Sequence, residues 1–275
     1  MANITASDVN KLRQITGSGM MDCKKALIET DGDFEKAIDF LRKKGQKVAA
    51  NRADKEASEG IVIAKTKDNI GAILKINCET DFVAKNEMFQ NFAHEVIDSI
   101  INFKPTNIEE LFNVKVNNLS IKDKLDEIIG KIGEKIEIEK FNIINAPKVT
   151  AYNHLGNRVA SLVAFNKTDV NNIDEISKEI AMQIVAMSAL FIDKQDVSKE
   201  VLDREIEIAK EQAMAEGKPA EMAEKIALGK IEKFYKEATL LNQEFVRDPK
   251  ITVRKYLEQH DKDLKVISFY RYQVK

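Results

Sequence analysis

Tryptophan is absent from the 275 residues, and cysteine and proline are rare, with two and four copies. Cys23 and Cys78 lie far apart, and neither has a second cysteine or a histidine at the spacing of a metal site. The sequence therefore contains no zinc motif and no disulfide framework. We expect a protein of a reducing compartment, the cytoplasm, with no bound metal.

A surplus of charge of one sign is also missing. The chain has 43 basic and 45 acidic residues, interleaved along most of its length, and its net charge at pH 7 is −2. Such a surface lacks the positive field that holds nucleic acid or an anionic membrane. The longest apolar stretch, residues 180–192, is interrupted by Gln183 and Ser188 and is too short to span a bilayer. We expect no nucleic-acid partner, no membrane partner and, since the N-terminus has no apolar core of signal-peptide length, no secretion signal.

The motifs of common catalytic and nucleotide sites are absent as well. There is no GxxxxGK[ST] loop, and the strand that a dinucleotide site requires does not precede the segment GSGMMD. None of the histidines stands in a nucleophile or triad pattern. These histidines are His94, His154 and His260. We expect no enzymatic site, no cofactor and no direct nucleotide binding by this chain.

With 44% hydrophobic and 32% charged residues, the chain is predicted to be a folded protein, long enough for about two domains or for one domain with appendages. The first 45 residues predict three short helices. Thr5 and Asp8 have the spacing of a capping box, and Asp22 and Asp33 stand where they can cap the second and third helices.

Alternating runs then predict strands. IVIAKT and IGAILKINC form a predicted hairpin with one face packed on helices, and a helix begins after Asn86. The residues of the packed face are Ala72, Leu74, Ile76 and Cys78. The order of hairpin and helix begins again at residue 147, which indicates an internal duplication. Within this second part, two amphipathic helices joined at Gly217 predict an antiparallel hairpin with a slim coiled-coil seam. The members of the predicted seam are Val201, Ile208, Ala215, Met222 and Ile226.

Together these patterns predict an α+β fold with antiparallel sheets. We expect a three-helix module at residues 1–45, a partly helical linker at 46–59 and a first α+β subdomain at 60–146. A second, related subdomain at 147–275 is interrupted by the helical hairpin at 197–232.

One short stretch, TDFV, belongs to neither periodic element beside it. Cys78 ends the strand pattern and Asn86 begins the helical one, so Thr80 to Val83 occupy the connection between them. Phe82 has two interpretations there: it packs under its own loop, as loop aromatics commonly do, or it is an exposed wedge that inserts into a partner. The residues alone leave both open.

Four long segments carry a family likeness. They are ITASDVNKLRQITGSGMMDCKKAL, NCETDFVAKNEMFQNFA, EGKPAEMAEKIALGKIEKF and EFVRDPKITVRKYL, in this order. In these segments the chain closely resembles the bacterial elongation factor Ts family, the guanine-nucleotide exchange factors of elongation factor Tu. The resemblance implies an N-terminal module like a ubiquitin-associated (UBA) domain, two related α+β subdomains and a helical hairpin inserted in the second.

The resemblance also implies a site. The family's TDFV loop pushes into the GTPase beside its magnesium ion, and its residues here are Thr80, Asp81, Phe82 and Val83. The family's N-terminal module grips the GTPase, which by motif match points to Arg13, Met20 and Met21. By the same match, His154 lies near the interface. Many relatives continue into a further helical module after the last strand, whereas this sequence stops at RYQVK, so we do not expect that module's contact.

Two other classes of function stay open on the residues alone. The chain could be a scaffold whose N-terminal module captures a helix or peptide, or, less in keeping with its near-neutral charge, a nucleic-acid binder.

Overall fold

The computed structural model describes residues 3–275, and the described chain opens with the three predicted helices. They are α1 (Ala6–Thr16), α2 (Met20–Glu29) and α3 (Phe34–Arg52). At α1, Thr5 and Asp8 form the predicted capping box. At α3, the Asp33 carboxylate accepts the Lys36 N–H at 3.1 Å, as its cap position predicts.

The predicted cap of α2 is wrong. Gly19 occupies the N-cap, and Asp22 lies in the first turn of the helix, where the partial positive charge of the helix end still favours a carboxylate. The three helices enclose a small core of buried side chains. Its members are Val9, Leu12, Cys23, Ala26, Leu27 and Ala37. Because α3 extends to Arg52, the first part of the predicted linker is helical.

The chain divides into two compact units. The first holds the residues up to Ile63 together with Leu74–Phe141 and Gln273–Lys275. The second holds Ala64–Ile73 and Asn142–Tyr272. The predicted α+β class is confirmed, with helices beside small antiparallel sheets.

A three-stranded sheet and four helices follow α3. These elements are β1 (Glu59–Lys67), β2 (Ile70–Cys78), α4 (Asp81–Ala84), α5 (Glu87–Phe103), α6 (Ile108–Asn113), β3 (Lys115–Val116), β4 (Leu119–Ser120), α7 (Ile121–Ile132) and β5 (Ile136–Asn145). The sheet has the order β1-β2-β5. The sequence predicts β1, β2, α5, α7 and β5, but it predicts neither α4 and α6 nor the β3–β4 ribbon.

Strand β2 is buried on both faces, whereas the sequence predicts burial of one. Lys75 and Asn77, on the face expected to be exposed, are both buried. Glu139 on β5 offsets part of the cost of burying them, because its carboxylate lies 2.7 Å from Lys75 Nζ and accepts the Asn77 amide N–H at 2.7 Å. Burial raises the pKa of Glu139, but these hydrogen bonds outweigh it and hold the pKa below the ordinary value. The Asn77 Oδ1 atom is buried without a hydrogen-bond partner among residues 3–275.

The second half of the chain repeats the hairpin and helix. Its elements are β6 (Lys148–Asn153), β7 (Val159–Phe165), α8 (Ile173–Met187), α9 (Lys199–Ala215), α10 (Ala220–Ala238), β8 (Glu244–Phe245), β9 (Asp248–Thr252), α11 (Val253–His260) and β10 (Val266–Gln273). The antiparallel pair of β6 and β7 extends to β10 in the order β10-β7-β6. Helix α8 packs on this sheet through a buried apolar core. Its largest members include Phe165, Ile180, Ile184, Leu240, Phe245 and Leu257.

Helices α9 and α10 form the predicted hairpin, but the predicted seam is wrong. Ile208 and Met222 are exposed, and alanines line the contact between the helices. These alanines are Ala209, Ala213, Ala223 and Ala227. Small side chains let two helices approach closely. Of the larger apolar members of the predicted seam, Val201 and Ile226 are half-buried.

Candidate functional site

The TDFV stretch lies between β2 and α5 and is not the irregular loop that the sequence predicts. It forms α4, a single helical turn whose N-cap is Thr80. The Thr80 backbone is extended, and its hydroxyl oxygen accepts the Val83 N–H at 3.4 Å. A four-residue turn is too short for helical periodicity to appear in a sequence, although threonine before aspartate is typical of a helix start.

Phe82 points away from the protein on this turn. Its side chain is 80% exposed, whereas the two following residues, Val83 and Ala84, are buried. Successive residues of a helix are about 100° apart, so burial of Val83 and Ala84 turns Phe82 outward. The interpretation in which Phe82 packs under its own loop is therefore wrong. An exposed aromatic ring on a short, fixed turn can fill a partner's pocket at small entropic cost.

Two glutamates tie the base of the turn to the connection between α7 and β5. The Glu134 carboxylate accepts the Thr80 N–H at 3.1 Å, and the Thr80 hydroxyl lies 3.0 Å from Glu134 Oε1. In the opposite direction, Glu79 accepts the Lys135 N–H at 2.6 Å. Arg52, at the end of α3, lies 3.2 Å from the Glu79 carboxylate. Because hydrogen bonds to an ionised group are strong, both residues at the entry to the turn are firmly held.

Asp81 is the first residue of the turn and remains ionised at neutral pH. The Lys85 ammonium lies 2.7 Å from its carboxylate, and this hydrogen bond holds the pKa of Asp81 below the ordinary value. Both side chains are largely exposed, so the pair contributes little to stability. Because the two charges are opposite, the pair adds no net charge beside the Phe82 ring.

Cys78 lies beneath the turn as a structural thiol. Its Sγ donates to the Thr80 carbonyl at 3.1 Å. Burial, together with the carboxylates of Glu134 and Glu59, raises the pKa of the Cys78 thiol to about 12. The thiol therefore stays protonated at physiological pH and is not a nucleophile.

The N-terminal candidates surround the corner between α1 and α2. Arg13 is exposed in the last turn of α1, and Met20 and Met21 begin α2 with exposures of 54% and 73%. Gly17 makes the corner possible, because its φ of 68° is a left-handed conformation that suits glycine. Ile15 is exposed beside them and is a candidate that the sequence analysis missed.

His154 belongs to the second unit and lies at the tip of the β6–β7 hairpin. Its Nδ1 is 3.0 Å from the Tyr152 hydroxyl, and its ring is exposed. The next residue, Leu155, is 94% exposed, followed by Gly156 and Asn157 at positive φ. Leu155 is a second candidate that the sequence analysis missed. Its signal was an apolar residue inside a turn, the same signal that identified Phe82.

Within residues 3–275, no three histidine, cysteine, aspartate or glutamate side chains are grouped so that they could hold a metal ion. In the same part of the chain, no helix combines the length and the apolar character needed to cross a membrane.

The fold and the site define an α+β protein whose candidate residues include exposed apolar and charged side chains on a helical turn, at a corner between two helices and at a hairpin tip, which is typical of a protein that binds another protein. The chain belongs to the elongation factor Ts family, because the family model described as Elongation factor TS matches residues 79–275.

Full-length relatives agree with this assignment. The chain is 47% identical over 273 residues to elongation factor Ts of Flavobacterium psychrophilum, an alignment that covers 98% of each protein. It is 45% identical to elongation factor Ts of Amoebophilus asiaticus, again over 98% of each protein. It is 42% identical to elongation factor Ts of Porphyromonas gingivalis, over 98% of this chain and 97% of the relative. The protein is therefore a translation elongation factor, with a role in protein biosynthesis.

Proposed function

We propose that this chain is the guanine-nucleotide exchange factor of elongation factor Tu and that it performs no covalent chemistry. It binds the GDP form of the GTPase, promotes release of GDP and so allows GTP to bind. The observation that carries the proposal is the exposed Phe82 ring on a capped and anchored turn. Membership of the elongation factor Ts family supports the identity of the partner.

The proposed mechanism acts on the magnesium site of the partner. A GTPase holds GDP partly through a magnesium ion bound to the β-phosphate, so displacement of the elements around the ion weakens the grip on the nucleotide. The turn of Thr80, Asp81, Phe82 and Val83 supplies that displacement, with Phe82 wedged between partner side chains. Binding of the factor and binding of GDP then oppose each other by the same factor in both directions, which lets incoming GTP release the factor.

Other surfaces hold the partner without disturbing its nucleotide. In the proposal, Arg13, Met20 and Met21 grip the GTPase domain, and His154 at its hairpin tip makes a further contact. Leu155 joins His154 because an almost fully exposed leucine at a tip is favourable to bury. Nucleotide, nucleic acid and membrane have no direct contact with this chain in the proposal.

The finer architecture is part of the same proposal. Residues 1–45, which hold α1, α2 and the first part of α3, form a UBA-like module, and the segment 46–59, which begins with the end of α3, joins it to the rest. The recurrence of hairpin and helix in β1-β2-α5 and β6-β7-α8 supports two related subdomains, at residues 60–146 and 147–275. The helical hairpin, 197–232, is an insertion in the second.

Release of a fluorescent GDP analogue from elongation factor Tu tests the proposal. Rapid mixing with an excess of the wild-type chain should accelerate release strongly. Phe82→Ala should fold normally, and its acceleration of GDP release should be lower than that of wild type by a factor of at least about ten. The reason is that an aromatic side chain at the centre of an interface contributes about 2 kcal/mol to the interaction. Arg13→Ala is the comparison variant: it should require a higher factor concentration for half-maximal release and leave the maximal rate nearly unchanged.

The experiment also distinguishes an exchange factor from a scaffold. A chain that binds elongation factor Tu but leaves GDP release at its intrinsic rate is a scaffold or a relative without the activity. If Phe82→Ala accelerates GDP release as much as the wild-type chain does, the wedge role of Phe82 is contradicted, while the exchange activity of the chain stands.

A further inference from the structure

Glu134 lies outside the TDFV stretch, in the connection between α7 and β5, yet it binds that stretch directly. We propose that Glu134 positions the wedge: its carboxylate accepts hydrogen bonds from both the N–H and the hydroxyl of Thr80, and this fixes the direction of Phe82. The inference rests on the proposed function, because the direction of Phe82 matters only if Phe82 enters the partner.

The end of α7 places Glu134 where it can reach the turn. Gly133 is the C-cap of α7, with a φ of 81° that suits glycine, and its N–H donates to the Ile129 carbonyl at 2.8 Å. The helix stops there, and the next residue is Glu134. A side chain at position 133 would strain this left-handed conformation and change the direction in which the chain leaves the helix.

The chemistry at Thr80 explains why an ionised acceptor suits this position. The Thr80 hydroxyl has one hydrogen, and it donates this hydrogen to the Glu134 carboxylate. The rotation of the hydroxyl is then fixed, which leaves an oxygen lone pair for the Val83 N–H at 3.4 Å. Successive hydrogen bonds of this kind strengthen each other. Without Glu134, the hydroxyl rotates freely, the cap of α4 weakens and Phe82 samples more directions.

A second contact keeps the TDFV turn attached to the connection between α7 and β5 when Glu134 is changed. Glu79 accepts the Lys135 N–H at 2.6 Å and pairs with Arg52, and neither interaction involves the Glu134 side chain. Substitution of Glu134 should therefore loosen the turn without detaching it. This makes the position suitable for a test, because the variant is expected to fold.

The first measurement compares maximal GDP release with the factor concentration that gives half of it. Glu134→Ala should lower the maximal rate about tenfold, because a functional side chain displaced by up to about 1 Å loses much of its effect. The half-saturating concentration should stay unchanged, because the other proposed contact surfaces remain. Glu134→Gln should recover part of the rate, since its amide oxygen still accepts one hydrogen bond. Glu109→Gln, an exposed glutamate in the first turn of α6, is the charge-matched control and should behave as wild type.

Two further measurements distinguish positioning from a general loss of structure. In the Phe82→Ala background, Glu134→Ala should lower the rate no further, because there is no ring left to position. Amide hydrogen exchange at Thr80 and Val83 should be faster in Glu134→Ala, while the amides of α5 should keep their wild-type protection.

The outcomes separate the two proposals. Glu134→Ala with the wild-type maximal rate, or with unchanged exchange at Thr80, overturns the positioning role while the wild-type chain remains an exchange factor. An equal loss in the presence and absence of Phe82 also overturns it. A wild-type chain that does not accelerate GDP release overturns the proposed function itself, and amide exchange still shows whether Glu134 holds the turn.

Discussion

Gly130→Ala should destabilise the protein, although alanine is the better helix former. Gly130 lies within α7 and Gly45 within α3, and the two helices cross with their backbones in contact at this point. A Cβ on Gly130 would lie 2.6 Å from the Gly45 Cα, and one on Gly45 would lie 2.8 Å from the Asp126 carbonyl oxygen. Neither neighbour is a flexible side chain that can rotate away.

The magnitude follows from two opposing terms. Alanine in place of glycine stabilises a helix interior by about 1 kcal/mol. Carbon atoms in contact need about 3.5–4.0 Å, so the helices would have to separate by about 1 Å. Overpacking of this kind costs about 1–3 kcal/mol, and a rigid backbone neighbour places it at the upper end. The net loss at Gly130 should be about 2 kcal/mol.

Gly229 in α10 provides the matched control. A Cβ there would have nothing within 4 Å, so Gly229→Ala should show the helix-forming gain of about 0.5–1 kcal/mol alone. Urea unfolding followed by circular dichroism gives both free energies of unfolding. Since the two glycines lie in different compact units, amide exchange in α7 and α10 should report each change locally. If Gly130→Ala is as stable as wild type or more stable, while Gly229→Ala is stabilised, the close approach of α3 and α7 at Gly130 is refuted.

Two further predictions concern polar side chains of the second unit, the buried Gln183 and the half-buried Asp193. Gln183→Leu should cost about 1–3 kcal/mol of unfolding free energy in urea, because the buried Gln243 Oε1 and the partly buried Val246 N–H lose their partner. A neutral effect would contradict the network. Although burial raises the pKa of Asp193, hydrogen bonds led by that of Arg254 hold it below the ordinary value. The stabilisation by ionised Asp193 is complete above about pH 4 and is lost as the pH falls through the lower pKa of the folded state. The stability difference between wild type and Asp193→Asn should therefore shrink from pH 7 to pH 3, and a constant difference would argue against the ionic contribution.

Local features of the fold could be predicted from the sequence. The capping box at Thr5, the cap at Asp33 and the cap at Asn86 each depend on a backbone N–H two or three residues away, so the relevant partners stand side by side in the sequence. The strands of the β6–β7 hairpin were predictable for the same reason, since alternation and a short turn are local properties.

Features that depend on which distant element packs against a residue could not be predicted from the sequence. Lys75 on β2 reads as a solvent-facing residue until Glu139 is placed beside it. Gly45 and Gly130 read as weak points of two helices, and only the crossing explains why alanine does not replace them. Ile208 fits a heptad better than an alanine does, but the helical hairpin packs closely and uses the smaller side chains.

The candidate site combines both kinds of feature. The motif match selects Phe82, and the cap position of Thr80 is local, but the outward direction of the ring depends on which neighbours are buried. Glu134 lies 54 residues from Thr80, to which it is bonded, and Arg52 lies 27 residues from its partner Glu79. No short sequence pattern could associate either residue with the turn. The interface roles of Arg13 and His154 remain predictions.

The helix crossing and the position of the wedge are connected through α7. Gly130 is four residues before Glu134, and α7 ends between them, so a 1 Å shift of the helix moves the carboxylate relative to Thr80. We therefore expect Gly130→Ala, assayed at a temperature where it is fully folded, to release GDP from elongation factor Tu at a lower maximal rate than Gly229→Ala. If Gly130→Ala loses stability but keeps the wild-type maximal rate, then the turn is held independently of α7, and the bond between Glu134 and Thr80 re-forms after the helix moves.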